Sequence, residues 1–212
     1  MKILYFLFLV LWSLQPGLSE AMVLDRILAV VNGEVISLSD VESDLIFLSK
    51  VEHPPQGDQG GNLSDSAIRA GIWELINHKL LLAEAKRFDV EDPTESQIHQ
   101  GLEIIQNRFP SPAAFEMALR QNAMTQEDLR QKVKEHLRVN RFIDQRIRFF
   151  VIVLPEEISR YYSENQGKFQ DKTYEEAEKE IEKFLSETKA KDKLEAYLSN
   201  LKAKASIQIN FE

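Results

Sequence analysis

The chain has 212 residues, with 34 acidic side chains against 26 basic ones, and its formal net charge of −8 disfavours a dedicated nucleic-acid binder. It has no cysteine, which excludes disulfides, iron–sulfur ligation and thiolate catalysis and leaves stability to packing. The length suffices for one large domain or two small ones.

Lys2, the apolar run ILYFLFLVLW (3–12) and the small residues Gly17, Ser19 and Ala21 predict a secretory signal peptide over 1–21, cleaved after Ser19 or Ala21. The run is short for a membrane span, and no later run is longer, so stable membrane insertion is not expected. An uncleaved N-terminal anchor is the alternative. With a bacterial pattern, export implies the periplasm.

DRILAVVNGEVIS (25–37) predicts a hairpin, because Asn32-Gly33 suits a type I′ turn in which both central residues have positive φ. Ser39 with Glu42 makes a capping box for a short helix over about 40–49. The proline- and glycine-rich stretch 51–65 predicts a long loop. Ser64 or Asp65 caps a long helix to about Phe88, with Ile68, Ile72, Leu75, Ile76, Leu80 and Ala83 on one face. Asp92-Pro93 starts the next helix, with proline at its first position, Ile98, Leu102 and Ile105 on one face, and an end near Phe109. Ser111-Pro112 repeats that signal for a helix over 112–121. Thr125 with Asp128 opens a helix over about 126–149, whose stripe is Leu129, Val133, Leu137, Ile143, Ile147 and Phe150.

Pro155 then opens a short helix over 155–164. Thr173 with Glu176 caps two further helices, 174–188 and 190–203. The tail ASIQINFE alternates Ile207, Ile209 and Phe211 with polar residues, the period of a half-buried strand. A lone terminal strand cannot satisfy its backbone, and a lone hairpin is marginal. Residues 206–211 are therefore expected to join 25–36 in one sheet, closing a mainly α fold with a small β-sheet.

Four histidines, His53, His78, His99 and His136, show no close ligand spacing, although His99 and Glu103 are i,i+4 neighbours. No phosphate-cradling glycine loop or nucleophile motif is visible, so no cofactor, no metal and no catalytic residue is assigned. The acidic run 175–182 reads as a solvated face. Arg130, Lys134, Arg138, Arg141 and Arg148 form a basic stripe, read first as pairing with the acidic C-terminal segment and second as steering acidic clients. Apolar side chains beyond what a core needs are the peptide-binding candidates: Ile46, Phe47, Phe109, Phe115, Met117, Met124 and Phe149. Core packing competes for each of them. Trp73 is assigned to the core or to a groove wall.

DRILAVVNGEVISLSDVESDL (25–45), LINHKLLLAEAKRFDV (75–90) and LRQKVKEHLRVNRFIDQRI (129–147) together resemble the chaperone core of the SurA family of periplasmic chaperones. VLPEEISRYYSENQGKF (153–169) resembles the lead-in to that family's parvulin domains, and 173–210 resembles the segment after the last one. The resemblance implies a chaperone domain over 22–154, a short helix and linker over 155–173 at the point of insertion, and a return segment over 174–212 packing back on the first domain. The chain departs from the family at that insertion point. Only four residues (170–173) join Phe169 to Tyr174, and neither the histidines nor the GGDLG-like turn of the parvulin domain has a match. The family likeness implies a non-enzymatic periplasmic chaperone for unfolded polypeptides, outer-membrane proteins among them. The alternatives are a structural or assembly protein that forms a homodimer through the same apolar surface, and a peptidyl-prolyl isomerase by family membership only.

Overall fold

The computed structural model describes residues 25–48 and 63–211. The signal-peptide segment, His53 and most of the 51–65 stretch lie outside the described residues.

Strand β1 (Ile27–Val31) turns through Asn32 (φ 51°) and Gly33 (φ 88°) into β2 (Glu34–Ser37), the two positive φ values that a type I′ turn requires. Strand β3 (Ile207–Ile209) lies antiparallel on the other side of β1, with Val31 opposite Ile207 and Ala29 opposite Ile209, so the sheet order is β2-β1-β3. Asn32 secures this closure twice. Its N–H donates to the Ser206 carbonyl (2.8 Å), and its Oδ1 accepts from the Ser206 N–H (2.9 Å). Beyond β3, Phe211 is buried, with the guanidinium groups of Arg26 and Arg69 at 5.3 and 4.9 Å from its ring centre. Ile209, at the open edge of a three-residue strand, is exposed rather than half-buried.

Seven α-helices follow among the described residues: α1 (Leu38–Ser43), α2 (Asp65–Arg87), α3 (Glu95–Gln106), α4 (Pro112–Gln121), α5 (Gln126–Arg146), α6 (Pro155–Glu164) and α7 (Tyr174–Lys204). The first core joins Leu28, Val31 and Ile36 of the sheet to Val41, Ile68, Ile72, Leu75, Ile76, Leu80 and Phe211. A Cβ at Gly71 would stand 2.6 Å from Val41 Cγ1, so glycine is what lets α1 lie on α2. A second core gathers Phe47, Ile98, Ile105, Phe115, Leu119, Met124, Leu129 and Val133 between α3, α4 and α5. A third, with Leu81, Ala85, Val90, Val139, Phe142 and Leu198, packs α2 and α5 against the C-terminal half of α7. A fourth, with Ile158, Phe169, Ala177 and Ile181, makes a hairpin of α6 and the N-terminal half of α7.

Several boundaries differ from the sequence expectation. The capping box of α1 is Ser37 with Asp40, not Ser39 with Glu42, because the Ser39 hydroxyl bonds the Asp25 carboxylate instead. The chain continues as a π-helical turn, Asp44–Leu48. Such a turn shifts the side-chain phase, and so Val41 enters the first core while Phe47 enters the second. Helix α3 starts after Thr94, whose hydroxyl and backbone exchange bonds with Gln97; Pro93 precedes the cap rather than opening the helix. In α2 the inward alanine is Ala85, not Ala83. In α5 the buried residues are Leu129, Val133, Val139 and Phe142, because the helix leaves α3 half-way along and turns its face to α2 and α7. The expected break at 188–190 is absent. That stretch holds neither proline nor glycine, and i,i+4 pairs Lys183–Glu187 and Lys191–Glu195 flank it on one continuous α7.

Candidate functional site

The most exposed apolar surface lies where α5 gives way to α6. Ile147 is buried and ends α5, and a 3₁₀ turn (Arg148–Phe150) follows. The β-branched run Val151-Ile152-Val153 and Pro155 then hold the chain extended, since the residue before proline disfavours the helical region. Along this connector the side chains alternate. Val153 packs into the α6–α7 core, whereas Phe149, Phe150, Ile152 and Leu154 are 77%, 56%, 71% and 52% exposed. The rings of Phe149 and Phe150 meet edge to face at 5.3 Å, so both remain outward.

Two lysines of α7 hold the connector in place by its backbone. Lys193 Nζ donates to the Phe150 carbonyl (2.7 Å), and Lys189 Nζ donates to the Ile152 carbonyl (2.8 Å) while pairing with Glu157 (2.5 Å). The Glu157 carboxylate accepts the Leu154 N–H as well (2.8 Å), and this bond together with Lys189 holds its pKa below the usual value. The apolar side chains are thus presented from a tethered backbone, Phe149 and Phe150 from the 3₁₀ turn and Ile152 and Leu154 from the extended segment after it.

The seven peptide-binding candidates divide. Phe47, Phe109 and Phe115 form one aromatic cluster, with ring centres 5.4 to 6.3 Å apart, and Met124 lies in the same core. Phe47, Phe115 and Met124 are buried there, so core packing claims them; Ile46 and Phe109 are half-buried at its margin. Phe115 does border a surface groove of about 310 Å³, shared with Leu102, Leu129 and the polar Glu103, Glu116 and Arg130. Met117, on the outer side of α4, is exposed, and so is Phe149. Ile152, Leu154 and Ile104 are also exposed but were not among the candidates. The alternating VIVL before proline is the sequence signal for the first two. Trp73 belongs to neither core nor groove: it is exposed on α2 beneath the Lys202 ammonium, 5.4 Å from its ring centre.

The basic stripe of α5 is spent, but not on the C-terminal segment. Lys134 (2.7 Å) and Arg138 (3.0 Å) both pair with Asp92, Arg130 pairs with Glu95, and Arg141 donates to the carbonyls of Glu91 and Asp92. The loop before α3 is nearer to this face than α7 is. The hydrogen bond from Lys134, with Arg138 and Arg141 beside it, keeps the Asp92 carboxyl below its ordinary pKa. Arg148, in the 3₁₀ turn, pairs back with Asp144 at the end of α5. His99 and Glu103 meet at 3.3 Å on an exposed face, and among the described residues no three metal-ligating side chains converge. No described helix is long and apolar enough to cross a membrane.

No family model matches this sequence, and no curated protein does. Eleven solved chains match the fold. One of them belongs to work on PEB4 and the periplasmic protein Cj1289, described as two structurally related SurA-like chaperones of Campylobacter jejuni. Its TM-score is 0.51 at 12% identity, over 87% of this chain and 98% of that one. At this identity the likeness is one of fold.

Proposed function

We propose that the protein is a chaperone that holds unfolded polypeptides, with the connector Phe149–Leu154 as its main contact surface. The observation that carries this reading is four large apolar side chains in six consecutive residues, all more than half exposed and held on a tethered backbone, a 3₁₀ turn followed by an extended segment. A chain that exposes such a strip incurs a solubility cost unless the strip serves binding. The Ile152 and Val153 N–H groups donate no hydrogen bond within the described residues, so an extended client could add backbone bonds to the side-chain contacts. The fold likeness to SurA-like chaperones supports the same role, and the signal-peptide pattern at 1–21 supports work in the periplasm on exported chains, outer-membrane proteins among them. Capture and release would be passive, through reversible burial of client side chains.

The test is light scattering from a urea-unfolded outer-membrane β-barrel protein on dilution into buffer, with and without this protein. Suppression is expected from the wild type and should be largely lost in Phe149→Asp/Ile152→Asp, whose sites are exposed and whose melting temperature should not move. Phe115→Asp/Met117→Asp serves as the competing patch. If the connector variant suppresses as well as the wild type, the connector assignment fails; if the wild type does not suppress, the chaperone reading fails. Sedimentation of the same samples separates a dimer that occupies this strip from a free monomer.

A further inference from the structure

The junction of the π-helical turn with α2 and α5 gathers polar groups that no internal hydrogen bond satisfies. Asp44 is 8% exposed, yet its carboxylate accepts no hydrogen bond and enters no ion pair among the described residues. Lys132, the nearest cation, is paired with Asp40 at 3.8 Å. Asn77 Oδ1 and His136 Nδ1 are buried without a partner. The His136 ring stacks on His78 at 4.3 Å, and burial lowers the pKa of both imidazoles. Unsatisfied buried acceptors of this kind are rare and point to something that meets them.

All of them border one half-open cavity of about 200 Å³. Its far wall is apolar, made by Leu81, Val139, Ile143, Leu194 and Leu198, and the exposed Glu74 stands among the lining groups; no lysine or arginine lines it. A cavity of roughly 150 Å³ already accepts a benzene ring, so this one has room for a short alkyl chain with a polar head. The polar side offers the Asp44 carboxylate and two buried unpartnered atoms, Asn77 Oδ1 and, with its proton on Nε2, His136 Nδ1. An ammonium group has three donors and would place a cation on the side of Asp44 that faces this cavity, where Lys132, which attracts the carboxylate from the neighbouring cleft, is not among the lining groups. Water would meet the acceptors but not the charge. A bare metal ion would leave the apolar wall unused.

We propose that this cavity binds a primary alkylammonium group, the head against Asp44, Asn77 and His136 and the stem along the wall shared by α5 and α7. The group could be a free alkylamine or the side chain of a lysine in a bound polypeptide. The site stands independently of the chaperone reading.

Calorimetric titration with n-butylamine, with a short lysine peptide and with its norleucine counterpart tests this. Butylamine should bind, and 1-butanol and the norleucine peptide should not. Asp44→Asn should weaken amine binding by roughly tenfold or more, the worth of a hydrogen bond to a charged group. Glu74→Gln, an exposed change, should weaken it roughly two- to fivefold. Binding of both butylamine and the lysine peptide assigns the site to a side chain, and binding of butylamine alone assigns it to a free amine. No amine binding, equal binding of 1-butanol, or undiminished binding in Asp44→Asn overturns the proposal. Aggregation suppression measured on Asp44→Asn keeps the two readings apart, since the connector strip is intact in that variant.

Discussion

Replacing Asp44 by asparagine should make the protein more stable at neutral pH, and the gain should vanish in acid. Burial pushes the Asp44 carboxyl from 3.8 up to about 6; Lys132 opposes the shift, and Glu74 and Asp40 add to it. The unfolded chain ionises this group at the lower value, so above pH 6 the fold carries a charge it disfavours. A difference of about 2 units, at ~1.4 kcal/mol per unit, costs about 3 kcal/mol, and the cost is relieved as pH falls from 6 to 3.8. His78 acts in the opposite sense. Burial, with His136, Lys132 and Lys79 nearby, lowers its pKa to about 3, so the unfolded chain takes up a proton below 6.5 that the fold refuses, and stability is lost down to pH 3. Between pH 6 and 4 these two slopes, each ~1.4 kcal/mol per pH unit, oppose each other, and His136, whose pKa burial also lowers, adds to the second. Asp44→Asn removes one of them. Urea titrations at pH 7.5, 6, 5 and 4 should show a variant up to about 3 kcal/mol more stable at pH 7.5, equal to the wild type near pH 4, and steeper between. At pH 7.5 the melting temperature should rise by roughly 6–12 °C. A variant less stable at pH 7.5, or an offset that does not change with pH, refutes the claim that this carboxylate is uncompensated.

Phe211→Ala should cost about 3–5 kcal/mol, as for other buried phenylalanines, and amide exchange at Asn32 and Ser206 should accelerate with it; unchanged protection there would mean that the strand holds without its aromatic anchor. A protease-coupled prolyl-peptide assay should show no acceleration of cis–trans exchange, because only four residues join Phe169 to α7; acceleration would revive the isomerase reading.

The sheet was legible because its signals are local and mutually dependent: Asn32-Gly33 sets the turn, and a terminal strand with period two needs a partner. Helix α2 was legible from a serine cap and a clear apolar period, and α4 from its Ser111-Pro112 start. What sequence could not reveal is phase. The π turn at Asp44–Leu48 rotates Phe47 out of one core into another, and a periodicity argument assumes a constant angle per residue. The split stripe of α5 fails likewise, because its two halves face different neighbours. The apolar candidates were picked as a surplus over one helix face. That surplus was a second core for Phe47, Phe115 and Met124, whereas the surplus at Phe149 is solvent-exposed.

The unbroken α7 changes how the exposed strip relates to the rest of the fold. At 31 residues and 1.5 Å per residue it is about 46 Å long, and it touches three of the four cores. Its N-terminal half forms the hairpin with α6, Lys189 and Lys193 in its middle hold the connector backbone, Leu194 and Leu198 wall the polar cavity, and its end delivers β3 to the sheet. Two helices with a break at 188–190 would have placed a hinge beside the connector. A single helix places none there. Lys189 and Lys193 precede Leu198 by about 2.5 and 1.4 helical turns, so the apolar strip and the cavity wall are carried by one rigid rod, and the strip keeps its form because its anchors cannot drift relative to the core.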